Sequence, residues 1–370
     1  MKWGNQYLEQ FGGKKMLSKQ QLQWFETLTQ LDGVSGHEHQ VAAYLRKEYE
    51  KLGVDEIIQD NLGSIMAVRK SKNLNAKRVM VLGHMDEVGF LVKEVTKTGV
   101  LKIHPVGGWF NQTLLAHRVR VTTRKGDIYP GTIGSIPPHM LSPEDRAKPI
   151  DIPQMLVDVG ATDADDIKNM GIQPGDMIVV DGGFEILNGG KRLLAKAFDN
   201  RYGCVMGLDL LDALKDQELD YDLYVGASVQ EEVGLRGAQT ITQLIKPDLA
   251  IILDCSPAID TMDSEALGKL GAGILLRMAD GSMIATKDLI YKLQDICVEH
   301  DIKHQFYYSP GGTDAGIVHK SNEGIKTITC CVVARNIHTS GSILDTDDYT
   351  AAKEAIVRFM DSNVWSDVIV

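Results

Sequence analysis

The chain has 370 residues, 44% hydrophobic and 24% charged, an ordinary composition for a soluble globular protein of one to three domains. Its formal net charge of -11 and its lack of a basic stripe argue against nucleic acid and anionic membranes as partners. No apolar run approaches bilayer length, and the start, Met1 to Gln6, lacks the apolar centre of a signal peptide, so the protein is expected in the cytoplasm.

In chain order, residues 1–16 read as a polar extension. Apolar spacing over 17–52 is helical, interrupted at Gly33-Val34-Ser35-Gly36, and the part at 40–51 is expected to pack on a sheet. Strand-like runs follow at 65–69 and 78–83, the second continuously apolar. From 90 to 194 the pattern changes to short β-like segments at 90–95, 101–104, 118–123, 131–133 and 177–180. Turn signals such as Thr98-Gly99 and Lys125-Gly126-Asp127 separate them, and a proline-marked loop spans 136–150. After 195, helices at 201–215, 237–245, 286–300 and 348–359 alternate with strand-like runs at 223–232, 249–254 and 325–333. The pattern predicts an α/β domain, a mixed sheet covered by helices, formed by 17–89 and 195–370 and split by an inserted β-domain at 90–194. The five cysteines (Cys204, Cys255, Cys297, Cys330, Cys331) form no CxxC pair and sit in apolar runs, as reduced core residues do.

Chemistry gathers where the apolar runs end. The run 223–232 finishes in Glu231-Glu232, and a strand sends successive side chains to opposite faces, so one carboxylate can bind a cation while the other handles a proton. The strand at 78–83 runs into His84-Met85-Asp86-Glu87, the one at 249–254 ends at Asp254, and the one at 325–333 is followed by His338. Asp199 precedes the helix at 201–215. Ligands of open α/β sheets collect at the carboxyl ends of strands, so these residues can converge. Two histidines with several carboxylates suit one or two divalent ions, Zn²⁺ first, with Co²⁺ or Mn²⁺ as alternatives. Asp86 is placed to hold the second nitrogen of His84. The alternative for each of these acids is a cap or surface residue. No HExxH is present.

Four motifs, Gly83-His84-Met85-Asp86-Glu87-Val88-Gly89, Ala197-Phe198-Asp199-Asn200-Arg201, Gln230-Glu231-Glu232-Val233-Gly234-Leu235-Arg236-Gly237 and Gly311-Gly312-Thr313-Asp314-Ala315-Gly316, resemble in order those of the tetrahedral aminopeptidases. This dinuclear metallopeptidase family (family 42) includes glutamyl aminopeptidase and proteins once labelled cellulase M. The resemblance implies an aminopeptidase with a zinc-exopeptidase-like domain, a β-barrel-like insert that dimerises, and dimers that build a tetrahedral dodecamer. It implies two divalent ions, Zn or Co with Mn possible, one held by His84, Asp199 and Asp254 and the other by Asp199, Glu232 and His338. It makes Glu231 the general base and Asp86 the partner of His84.

Segments 254–258 and 269–277 look most like the glutamyl branch, which makes Arg277 a candidate for an acidic substrate side chain, since guanidinium meets carboxylate as a fork. The alternative for Arg277 is a buried or interface salt bridge. Tyr308-Ser309-Pro310 stands where some glutamyl members carry a lysine, so a different N-terminal specificity is the first alternative. Loop 311–316 is expected near the substrate, its glycines serving backbone geometry. The other histidines (His37, His39, His104, His117, His139, His300, His304, His319) read as packing or surface residues. A glycosidase needs carboxyls on opposite sides of a bond, which adjacent Glu231 and Glu232 do not provide. A non-catalytic metal-binding scaffold is the remaining alternative, and the complete set of acids and histidines speaks against it.

Overall fold

The computed structural model describes residues 17–369, and the extension expected at 1–16 lies outside them. Helix Lys19–Gln30 starts at a capping box: Gln21 N–H donates to Ser18 Oγ at 3.2 Å and Ser18 N–H to Gln21 Oε1 at 2.8 Å. The chain then breaks at Leu31–Glu38 and resumes in helix His39–Lys51. Among the described residues no helix is long and apolar enough to cross a membrane.

An eleven-stranded mixed sheet forms the larger layer. Its centre is four parallel strands, in the order Asp222–Ser228, Arg78–His84, Leu249–Ala258 and Lys326–Arg335. Antiparallel strands flank them: Ile65–Arg69 and Glu56–Gln59 on one side, and Ser342–Asp345, Arg192–Ala195 and Glu185–Leu187 on the other. Strand Leu249–Ala258 is buried at each of its first eight positions, as in a sheet covered on both faces. Helix Phe198–Leu214 lies against the two central strands, with helices Lys19–Gln30 and Thr346–Phe359 packed on it. Leu82, Leu208, Ile252 and Tyr349 are among the fully buried core.

A closed six-stranded barrel stands apart from this sheet, in the order Gly89–Val95, Val100–Val106, Leu156–Asp158, Ile128–Gly134, Arg118–Thr122 and Met177–Val180. Phe90, Leu101, Val121, Ile133 and Ile178 fill it. The insert was expected to reach residue 194, but the last barrel strand ends at Val180, and Glu185–Leu187 and Arg192–Ala195 pair with the large sheet. Periodicity carries no information on this point, because the partner strand, Ser342–Asp345, lies about 150 residues further along the chain. Strands Ile274–Ala279 and His304–Tyr308, which the sequence pattern did not reveal, extend the same sheet. A partly buried ion network joins the two layers: Arg120 of the barrel pairs with Asp32 and Asp181, and Lys196 connects Asp32 to Glu87, which also pairs with Arg201.

Candidate metal centre

Three of the central parallel strands deliver chemistry at or just beyond their carboxyl ends, and the fourth, Leu249–Ala258, runs four residues past its acid. His84 closes Arg78–His84, Asp254 lies inside Leu249–Ala258, and His338 comes three residues after Lys326–Arg335. Asp199 sits in the first turn of helix Phe198–Leu214, where it and Asn200 depart from helical dihedrals, so the regular helix begins near Arg201. The two glutamates require a correction. Their strand ends at Ser228, and Gln230 adopts a left-handed φ of 57°. The N–H groups of Glu231 and Glu232 donate to Oδ1 and Oδ2 of Asp86 at 3.0 and 3.1 Å. A pinned turn, rather than strand alternation, directs the two side chains apart.

Asp199 stands between two imidazoles. Its Oδ1 is 3.2 Å from Nε2 of His84 and its Oδ2 is 3.4 Å from Nε2 of His338. On the His84 side, Asp254 Oδ1 is 3.8 Å and Glu231 Oε2 3.9 Å from that nitrogen. On the His338 side, Glu232 Oε1 is 3.1 Å away. Donor atoms of His84, Asp199 and Asp254 lie within 4.8 Å of one another, as do those of Asp199, Glu232 and His338, and an overlapping group joins His84 to both glutamates. Tetrahedral zinc with bonds of 2.0–2.2 Å sets its ligand atoms roughly 3.4 Å apart. The nitrogen-to-oxygen distances of 3.2 and 3.8 Å in the first group and 3.4 and 3.1 Å in the second are near that spacing.

The outer nitrogens decide the chemistry of the inner ones. Nδ1 of His84 is 3.2 Å from the Asp86 carbonyl oxygen, and Nδ1 of His338 is 2.9 Å from that of Gly108. A carbonyl only accepts, so each Nδ1 carries the hydrogen and each Nε2 is turned to carboxylates. An Nε2 so placed holds either a proton or a cation. Burial opposes charge on both rings, yet Asp199 and Glu232 raise His338 to about 11, and Glu231, Asp199 and Asp86 raise His84 well above its ordinary value. Burial, reinforced by Asp199, lifts Asp254 to about 8 and also lifts Glu232. Glu231 is raised by burial and by Asp314, Asp254 and Glu232. Burial works against the charge of Asp199 as well, but hydrogen bonds from His338 and His84 hold it below the usual carboxylate range. Two like charges 4 Å apart repel by about 4 kcal/mol at an effective dielectric near 20, so the crowded acids need protons or cations between them. Imidazole and carboxylate donors in this number fit Zn²⁺, Co²⁺ or Mn²⁺.

Asp86 is fully buried. Besides the two glutamate N–H groups it accepts from Ser35 Oγ at 2.6 Å and faces His84 Nδ1 at 3.4 Å. Burial opposes its charge, but His84, Ser35 and the Glu231 N–H keep its carboxyl low. One carboxylate thus ties the end of the His84 strand to the glutamate turn. Arg277 is also buried; it donates to Ser256 Oγ at 2.8 Å and to Asp280 Oδ2 at 3.2 Å. None of the other histidines joins a donor cluster among the described residues.

Three contributors escaped the sequence. Ser35 lies in a turn that was read as a helix break, and Gly108 acts through its carbonyl, which leaves no side-chain signature. Asp314 was quoted only as part of a loop; it is buried, accepts from Ser228 Oγ, and burial lifts its carboxyl to about 7. The loop glycines do serve close approach: a Cβ on Gly316 would stand 2.2 Å from Ser282 Oγ.

The M42 glutamyl aminopeptidase family matches residues 63–354. Glutamyl aminopeptidase of Lactococcus lactis subsp. cremoris is 39% identical over 89% of this chain and 92% of its own length. A TET aminopeptidase from the marine sediment archaeon Thaumarchaeota archaeon SCGC AB-539-E09 superposes with a TM-score of 0.89 at 35% identity, covering 92% of this chain and 96% of that one. The TET1 peptidase of Pyrococcus horikoshii, which can assemble into a tetrahedron or a large octahedral shell, gives 0.82 at 28% identity, over 91% and 98% of the two chains. Fold, clustered donors and extended similarity agree, and the chain belongs to the M42 glutamyl aminopeptidase family.

Proposed function

We propose that the chain is a metal-dependent aminopeptidase whose site takes two divalent ions, one at His84, Asp199 and Asp254 and one at Asp199, Glu232 and His338. The observation that carries this reading is Asp199, whose two oxygens face two different imidazole nitrogens at 3.2 and 3.4 Å. When bound, the two ions supply Lewis acidity to a water and to the scissile carbonyl. Glu231 accepts the water's proton as the oxygen joins the carbonyl carbon, then passes that proton to the departing amine nitrogen as the C–N bond breaks. Its burial among other acids raises its proton affinity, which suits a shuttle. Asp86 fixes the His84 tautomer and the turn that aims Glu231. Of the two imidazoles His338 is the more open, 29% exposed against 2% for His84, so substrate enters from its side.

Acidic N-terminal residues are the favoured substrates in this reading, with two supports: the similarity to a glutamyl aminopeptidase and the positive charge of Arg277 beside Asp254. Arg277 is buried and engaged with Asp280 and Ser256, which offsets much of its charge, so the similarity to a glutamyl aminopeptidase is the stronger of the two supports. Hydrolysis of Glu-, Asp-, Leu- and Lys-p-nitroanilides by enzyme loaded with Zn²⁺ or Co²⁺ tests this. Higher kcat/KM for the Leu or Lys compound ends the acidic preference, and no hydrolysis of any compound or of a peptide panel ends the aminopeptidase reading.

The barrel is proposed as the dimerising unit of a homo-oligomeric, tetrahedral dodecamer. Phe110, Ile128, Ile136 and Met140, exposed at 61, 53, 59 and 72%, form the apolar supply such a contact needs. Light scattering on the purified protein is expected to read twelve chains, and a monomer would refute the assembly.

Metal binding is expected to release protons. Without an ion, His338 (about 11), His84 (raised) and Asp254 (about 8) all hold protons at pH 7. A cation takes their place, so apparent affinity rises with pH and roughly two or more protons leave per chain. Titration calorimetry in buffers of different ionisation enthalpy measures that number; a buffer-independent enthalpy contradicts the prediction.

A further inference from the structure

The two triads differ in what supports them. His84 and Asp254 come from adjoining central strands and are buried within the large sheet. His338 and Glu232 instead lean on the barrel. The loop after barrel strand Val100–Val106 passes directly over them: the Gly108 carbonyl accepts from Nδ1 of His338 at 2.9 Å. A Cβ on Gly107 would stand 3.3 Å from Cβ of Glu232 and 2.5 Å from Cγ1 of Val88, and Gly107 has a left-handed φ of 79°, so only glycine passes there without strain. The segment that carries His338 meets the barrel side twice more. Ser340 Oγ is 3.2 Å from Nε2 of His117, and Gly182 lies so close to the Ser340 carbonyl that a Cβ would stand 2.0 Å from its oxygen. His338 itself holds a left-handed φ of 55°, a backbone state that its surroundings must impose.

Trp109 fastens this loop. Its Nε1 donates to the Gly89 carbonyl at 3.0 Å, and its ring stacks on Phe90 with centroids 4.9 Å apart and planes 15° apart. Gly89 and Phe90 begin the strand by which the chain enters the barrel, five and six residues after His84. Trp109 gives its one side-chain donor to Gly89 and not to a triad residue, yet it fixes the backbone whose carbonyl orients His338 and whose path confines Glu232.

We infer that Trp109 is a positioning residue through which the barrel sets the affinity of one cation position, that of Asp199, Glu232 and His338, and leaves the His84 position unaffected. The inference rests on the two-ion reading above. It follows from the number of anchors: the outer partner of a metal-binding imidazole changes metal affinity by about 10–100-fold when lost, and here that partner is a loop carbonyl held by one indole.

The test is titration of metal-free full-length protein with Co²⁺ alone, read by calorimetry and by the visible absorption of the bound ion, for the unaltered chain, Trp109→Ala and Trp109→Phe. The unaltered chain is expected to take two ions. Trp109→Ala is expected to keep one at unchanged affinity and bind the other about 10–100-fold more weakly, with loss of one component of the absorption. Trp109→Phe keeps the stack on Phe90 without the Nε1 donor and is expected to recover most of the second site. A general loosening would weaken both positions or lower thermal stability without selectivity, and that result overturns the inference. So does undiminished binding of both ions by Trp109→Ala. If Trp109→Ala does not fold, Trp109→Leu, which also removes both the stack and the Nε1 donor, takes its place, and equal weakening of both positions or none at all then refutes the selective role. An unaltered chain that takes fewer than two ions defeats the two-ion reading itself, and is told apart because it needs no variant.

Discussion

Glu231→Gln is expected to retain two divalent ions per chain and to lose about 10²–10⁴-fold in kcat with little change in KM. Glutamine keeps the shape and the backbone N–H that Asp86 accepts, so the turn and its neighbour Glu232 stay in place. What disappears is the carboxylate that takes a proton from water and returns it to the amine. The ordinary alternative for Glu231 is a third carboxylate of the His84 cluster, since its Oε2 is 3.9 Å from Nε2. Metal analysis beside steady-state kinetics separates the two. A drop to one ion per chain makes Glu231 a ligand, and near-normal turnover removes it from the proton path.

Asp199→Ala is expected to empty both positions and abolish measurable hydrolysis, whereas Asp254→Ala and Glu232→Ala each weaken one. Asp199 presents one oxygen to each imidazole, at 3.2 and 3.4 Å. Its loss removes a direct ligand from both groups, an effect larger than the 10–100-fold that follows loss of an outer hydrogen-bond partner. Elemental analysis after gel filtration reads the stoichiometry. Retention of one tightly bound ion in Asp199→Ala means the two groups do not share this carboxylate. Circular dichroism of the metal-free variant, compared with the metal-free parent, guards against a folding defect as the cause.

Legibility in the sequence followed the range of the interactions concerned. Helices Lys19–Gln30 and Lys287–Glu299 and strand Arg78–His84 carry their own apolar pattern, the first with a capping box as well, and they fall where the apolar spacing puts them. Strands Arg192–Ala195 and Ile274–Ala279 take partners far along the chain, Ser342–Asp345 and Lys326–Arg335, and local pattern says nothing about those pairings. The site divides in the same way. His84, Asp254 and His338 are marked by their place after apolar runs. The adjacency of Glu231 and Glu232 suggested two roles, but the supposed cause was wrong: a left-handed Gln230 and two hydrogen bonds to Asp86 separate them. Arg277, read either as a receiver of acidic substrates or as a buried salt bridge, lies buried beside Ser256 and Asp280, neighbours that sequence spacing alone did not name.

By itself the sequence determined the α/β class, the β-rich insertion, the five buried free cysteines and the inventory of acids and imidazoles, because each depends on residue type and near-neighbour spacing. Only the tertiary structure decided that Asp199 faces both imidazoles, that Asp86 locks the glutamate turn, and that a barrel carbonyl orients His338. Those facts are distances between segments 115 to 230 residues apart in sequence. A distance of that kind exists only once the sheet has closed around its core and the barrel has been set against it.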